Sequence, residues 1–178
     1  MWRVSERITG GGSDRLAERD GQVTHPLVDE AGKKATIAWL DGRAVWCAWF
    51  DDALYVISGP GEQDLGELTS GVVVTLRGDH GGRIVSWPAV VARVAPGTEE
   101  WDRVAPQLAG KRLNASGGTD EVVARWAAGC ALYALRAGAG PVLAGTDLPA
   151  DSLAEPPRPT PAARPARRPF RLHRVRRP

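Results

Sequence analysis

The segment ISGPGEQDLG, residues 57 to 66, places one hydroxyl (Ser58), one carboxamide (Gln63) and three glycines (Gly59, Gly61, Gly66) directly after a strand-like run. A hydroxyl beside glycine backbone N–H groups can cradle phosphate oxygens, because glycine lets the main chain come close and turn its amides toward an anion. The same stretch carries Glu62 and Asp64, with Glu67 next to it, and these carboxylates oppose a phosphate. The loop therefore either grips an anion or only turns the chain. Other chemistry has little support. The three histidines, His25, His80 and His173, form no pair at ligand spacing with each other or with a cysteine, so no metal site is expected. Ser58 and Ser86 have no evident His and acid partners, and the glycines at 10 to 12 neither follow a strand nor open a long helix. The Arg77-Gly78-Asp79 tripeptide is a chance match, with His80 exposed in a hairpin loop. No catalytic residue can be named.

The elements around this loop are mostly strands. ATIAWL, RAVWCAWF, ALYVISG, GVVVTLR, RIVSWPAVVARV and CALYALRA are rich in Val, Ile, Trp and Tyr, and turn residues separate the first five. Asp41-Gly42 is a strong two-residue hairpin signal and Asp51-Asp52 a weaker one. In the second strand Ala44, Trp46, Ala48 and Phe50 alternate with Val45, Cys47 and Trp49, so both faces are apolar. One face belongs to a barrel interior. The other needs a helix, a ligand or a second subunit. Pro26 is placed to start a short helix that Gly32 would end. A longer helix is expected from the cap Thr98 to a left-handed stop at Asn114, with Trp101, Val104 and Leu108 on its buried face and Pro106 as a kink or break. A further short helix follows Thr119 as its cap. Trp39, Trp87, Trp101 and Trp126 read as core, and Cys47 and Cys130 as buried free thiols.

Composition bounds the rest. A chain of 178 residues with 43% hydrophobic and 25% charged content suits one domain with extensions. The net charge of +2 conceals a contrast: residues 155 to 178 hold eight arginines and one glutamate, while the remainder sums to −5. Residues 1–24 read as a flexible arm with a short helix at 13–19, 25–136 as the folded domain, and 137–178, with nine of the fourteen prolines, as a disordered basic tail. With no apolar leader or membrane-length run, the expected location is cytoplasmic.

The order of features resembles the split β-barrel family of flavin-binding proteins, the pyridoxamine 5'-phosphate oxidase-like group. A short helix precedes ATIAWLDGR, VWCAWFDDALYVISG follows, a loop leads into LGELTSGVVVTLR, and then come the long strand GRIVSWPAVVARV, a helix and a last strand. The resemblance covers about residues 26 to 136. It implies a mainly β (α+β) fold, a six-stranded antiparallel Greek-key split barrel with two or three short flanking helices. It also implies a homodimer, the second subunit covering one apolar face of the second strand, with FMN or a deazaflavin coenzyme in the groove between subunits. By position, Trp46 and Trp49 would wall that groove, Ser58, Gly59, Gly61 and Gln63 would face the phosphate, and Lys111 or Arg112 would supply the cation that the acidic loop lacks. Arg77, Arg83 and Arg93 are further candidates for that charge. The family's oxidoreductases leave hydride transfer to the cofactor, so the absence of a dedicated acid or base leaves enzyme status open. The alternatives are a cofactor-free dimer with a binding or structural role, should the acidic loop have abolished phosphate binding, and a nucleic-acid-associated protein acting through the basic tail.

Overall fold

The computed structural model describes residues 24–68, 71–112 and 116–151. The N-terminal arm with its expected helix, Asn114 and the arginine-rich tail lie outside the described residues. Helix α1 (Pro26–Lys34) leads into β1 (Ile37–Leu40), β2 (Arg43–Trp46), β3 (Ala48–Phe50), β4 (Ala53–Ser58), β5 (Gly71–Arg77) and β6 (Arg83–Val94). Helices α2 (Glu99–Lys111) and α3 (Thr119–Gly129), then β7 (Ala131–Ala137) and the two-residue β8 (Leu143–Ala144), complete the order.

The strand path runs β2-β1-β5-β6-β7-β4-β3, antiparallel throughout. Since β2 and β3 are one run interrupted at Cys47, the sheet closes into a ring of six strands, with β8 added beside β6. This is an α+β split barrel with Greek-key connections. The interruption at Cys47 explains the strand count: the expected second strand bends there, so its first half pairs with β1 and its second with β4. Both expected two-residue hairpins form. Asp41 and Gly42 sit at φ 48° and 86°, and Asp51 and Asp52 at 44° and 59°. Aspartate tolerates this left-handed region better than most residues, which makes glycine dispensable at the second turn.

Two apolar clusters divide the molecule. Val45, Cys47, Trp49, Leu54, Val56, Val74, Val85, Trp87 and Leu135 fill the barrel, and Val28 of α1 plugs it. Tyr55, Ile57 and Leu132, on the outer face of β4 and β7, pack under Trp101, Val104 and Leu108 of α2 and Val122 and Trp126 of α3. Both faces of the second strand are thus covered by the chain's own elements. Trp49 enters the barrel and is 8% exposed, whereas Trp46, Ala48 and Phe50 join the cluster under α2 and α3. The expectation that a second subunit shields this face is corrected, because two helices already lie on it.

Several helix boundaries differ from expectation for local reasons. Gly32 does not end α1, which continues to Lys34. Its role is close approach: a Cβ at Gly32 would fall 2.5 Å from Trp49 Cδ2. Pro106 leaves α2 a single helix, with Thr98 capping the Trp101 N–H as expected. Gly118, not Thr119, is the N-cap of α3. Beyond Arg136 the described chain does not trail away. Val142 packs against the barrel core, β8 pairs with Val85 and Ser86, and one turn of 3-10 helix follows at Gly145–Asp147.

Candidate functional site

The loop after β4 is held from several sides. Ser58, buried at the strand's end, accepts the Leu65 N–H at 2.9 Å through its hydroxyl. Gly59 adopts φ 145° against Cys130, where a Cβ would approach within 2.9 Å, and its N–H donates to the Gln63 carbonyl. The Gln63 side chain is locked onto Trp46, accepting its N–H and donating to its carbonyl, both at 2.9 Å. Gly61 is exposed at φ 79° with open space where a Cβ would be. The left-handed glycines thus shape a turn whose hydroxyl and carboxamide face inward.

Glu62 is the centre of this arrangement. Its side chain is only 2% exposed and accepts from Arg112 Nε at 2.8 Å and from Trp126 Nε1 at 3.0 Å. The Arg112 guanidinium also lies 5.4 Å from the Trp46 ring centroid, and Trp46 and Trp126 are tilted neighbours at 6.4 Å. The structure therefore gathers Trp46, Gln63 and Arg112 in one place, but around the chain's own carboxylate. Trp49 is on the opposite side of the strand, its Nε1 donating to Asp29 at 3.1 Å. Lys111 points elsewhere too, with Nζ 4.5 Å from the Phe50 centroid. Nearby, burial pushes the Cys130 thiol above its ordinary range, the Glu62 carboxylate adds to that, and Arg125 opposes it. Cys47, inside the barrel, is pushed up to about 12 by burial, only partly offset by Lys111. Both cysteines are free thiols, as their apolar settings suggested. Neither is activated as a nucleophile.

A second place carries more open chemistry. On the outer wall of β1, β5 and β6, Trp39, Asp41, Gly42, Val73, Thr75, Arg77 and Arg83 enclose a cavity of about 270 Å³. The Arg77 guanidinium lies 4.6 Å from the Trp39 ring centroid. The Thr75 and Ser86 hydroxyls bond to each other at 2.8 Å on the same wall. Trp39 departs from the core role expected of it, whereas Trp87, Trp101 and Trp126 are buried. Sequence reasoning gave Arg77 and Arg83 only as reserve cations for the loop. The signal for their pairing was present in RGDHGGR, since a hairpin through GDHGG sets its two flanking arginines opposite each other.

No group of three or more His, Cys, Asp or Glu side chains that could hold a metal ion occurs among the described residues, and no helix there is long and apolar enough to cross a membrane. No protein-family model matches the chain, and no curated protein matches it either. Among solved structures, HutZ, the heme storage protein from Vibrio cholerae, aligns over 68% of this chain and 94% of its own, at 16% identity and a TM-score of 0.46. The fold class rests on the strand order itself: six antiparallel strands, closed through a shared bent strand and flanked by three helices, make this chain an α+β split barrel.

Proposed function

We propose that this chain is a small-molecule-binding split barrel that works as a homodimer and takes a flavin or deazaflavin nucleotide at the groove between subunits. The observation that carries this reading is the uneven cover of the barrel's outer wall. Helices α2 and α3 cover β3, β4 and β7, while Ile37, Val73, Ile84 and Val90 remain exposed on β1, β5 and β6. Exposed apolar side chains gathered on one wall mark an association surface. Trp46 stands at the border, because its cross-strand partner on the outer face is the exposed Ile37. A second copy seated on the bare wall would abut Trp46 and make a crevice there, lined by the Trp46 indole and reached by Arg112. Trp46 Nε1 is buried without a partner among the described residues, which favours an acceptor arriving from a ligand or a second chain. Ser58, Gly59, Gly61 and Gln63 would then serve by shaping the crevice's edge, with Gly61 the exposed member able to meet a phosphate. Two reduced, buried thiols suit the cytoplasm.

The test is the absorption spectrum of freshly purified protein, tryptophan quenching on titration with FMN and with a deazaflavin, and mass in solution. Bound flavin absorbance or saturable quenching, together with a dimeric mass, supports the reading. A monomer with neither refutes it. A dimer that binds neither compound favours the second reading, a cofactor-free dimer with a binding or structural role. One observation favours that alternative: Glu62 already occupies Arg112, the nearest cation to the loop.

A further inference from the structure

We propose that the Arg112 guanidinium and the Trp126 indole N–H form a binding site for the anionic end of a small carboxylate or phosphate compound, and that Glu62 is its built-in occupant. In the resting chain this side chain closes the site, and an outside anion enters by taking its place. The inference holds whether or not a flavin binds.

The two donors converge from separate elements. Arg112 is the C-cap of α2 and Trp126 lies on α3. Arg112 Nε reaches Oε2 of Glu62 at 2.8 Å, and Trp126 Nε1 reaches Oε1 at 3.0 Å. A cation and a neutral donor aimed at the two oxygens of one carboxylate are the groups a receptor for an outside carboxylate requires. The Trp46 ring makes a wall beside them, 5.4 Å from the guanidinium carbon and 6.4 Å from the Trp126 ring, centroid to centroid.

The acceptor, by contrast, comes from a surface turn. The Glu62 N–H donates to the Gly59 carbonyl at 3.0 Å, and the two residues between them, Pro60 and Gly61, are exposed. The stem of the loop is pinned by other groups: Gln63 holds the Trp46 backbone, and Ser58 holds the Leu65 N–H. Rotation of the Glu62 side chain therefore empties the site without releasing the loop. The Arg112 side chain is 26% exposed against 2% for Glu62, so the receptor opens to solvent on the guanidinium side.

The exchange is balanced in charge. Withdrawing Glu62 alone would deprive Arg112 of its buried carboxylate and leave the Trp126 N–H without this acceptor, which is costly. An incoming anion restores both bonds while Glu62 regains its hydration. Occupancy is then set by the concentration of the ligand and by what the remainder of it touches.

Glu62→Ala removes a methylene and a carboxylate, a fragment close to acetate in size, so acetate is the probe. Urea unfolding of the full-length parent and variant is followed in sodium acetate and in sodium chloride of equal ionic strength. Acetate should raise the midpoint of Glu62→Ala saturably and leave the parent where chloride leaves it. Adding Arg112→Gln to the alanine variant should weaken acetate roughly ten- to a hundredfold, the range for one charge-assisted hydrogen bond. Glu62→Ser takes the place of the alanine variant if that chain does not fold. Inorganic phosphate is run beside acetate, and the stronger of the two names the anionic group of the ligand. No saturable rise with either anion, an equal rise in the parent, or an affinity untouched by Arg112→Gln would overturn the assignment. Acetate rescue in a protein that ignores FMN leaves this receptor standing while the flavin reading falls. Flavin binding by the parent without any rescue of the variant removes the receptor alone.

Discussion

The two halves of the barrel's outer wall are built on different terms. Under α2 and α3, polar groups find partners within the chain: Glu62 meets Arg112 and Trp126, and Tyr55 donates at 2.7 Å to Glu100, which also pairs with Arg136. On the other half, Val73 is 46% and Val90 57% exposed, and a buried Arg83 N–H has no partner among the described residues. Buried polar groups in native proteins are nearly always paired. The covered half thus pairs these charged groups internally and its residues answer to stability, with Trp46 Nε1 at its border left without a partner among the described residues, whereas the bare half keeps exposed apolar side chains for an outside molecule to cover.

If that division holds, substitutions should separate into those that unfold the protein and those that change only what it binds. The largest loss of stability is expected for Trp126→Ala, since this fully buried indole fills the space between α3 and the sheet; a loss of about 3 to 5 kcal/mol in urea unfolding is predicted. Glu62→Ala should cost about 2 kcal/mol, because Arg112 and Trp126 each lose their acceptor. Glu62→Gln should recover part of it. An Ala variant as stable as the parent would show that this internal ion pair contributes nothing.

On the bare half the paired change Val73→Asp and Val90→Asp should leave the monomer within about 0.5 kcal/mol, as exposed positions usually do, yet convert a dimer to a monomer in light scattering. Loss of folding instead would break the contrast between the two walls. The smallest effect concerns pH. Burial pushes the Glu100 carboxyl up, but the Tyr55 hydroxyl and Arg136 outweigh it and hold the group below its ordinary value. That contribution is present above the unfolded value and is lost as pH falls through the folded one. Tyr55, raised to about 12 by burial and then by Glu100, works in the opposite direction. Its contribution is complete below its ordinary value of 10.0 and is lost as pH rises toward about 12. Tyr55→Phe should flatten both limbs of the stability profile, and an unaltered profile would remove this pair from the account.

Much of the architecture was legible because it depends on local pattern. The alternation of Trp46, Ala48 and Phe50 against Val45, Cys47 and Trp49 announced a strand buried on both faces, and Asp41-Gly42 its hairpin. What covers the second face was not legible, since pattern records apolarity and not the identity of a neighbour. Helices α2 and α3 cover it, although they begin 49 or more residues later in the chain than Phe50. Gly32 was misread for a related reason: a glycine needed for close packing on Trp49 looks in sequence like a helix stop. The loop's chemistry was half visible. Its glycines and hydroxyl were identified, but the direction in which Ser58 and Gln63 point depends on Leu65 and on the backbone of Trp46. The cation pair at Arg77 and Arg83 could have been found by folding the GDHGG hairpin on paper.

The bend at Cys47 lets one strand serve both margins of the sheet, so the ring offers no long unclaimed row of amide and carbonyl groups. Copies of this chain are accordingly poorly suited to join by extending each other's sheets. Whatever assembles on this molecule must recognise it through side chains, by shape and charge, and a few substitutions should be enough to redirect its choice of company.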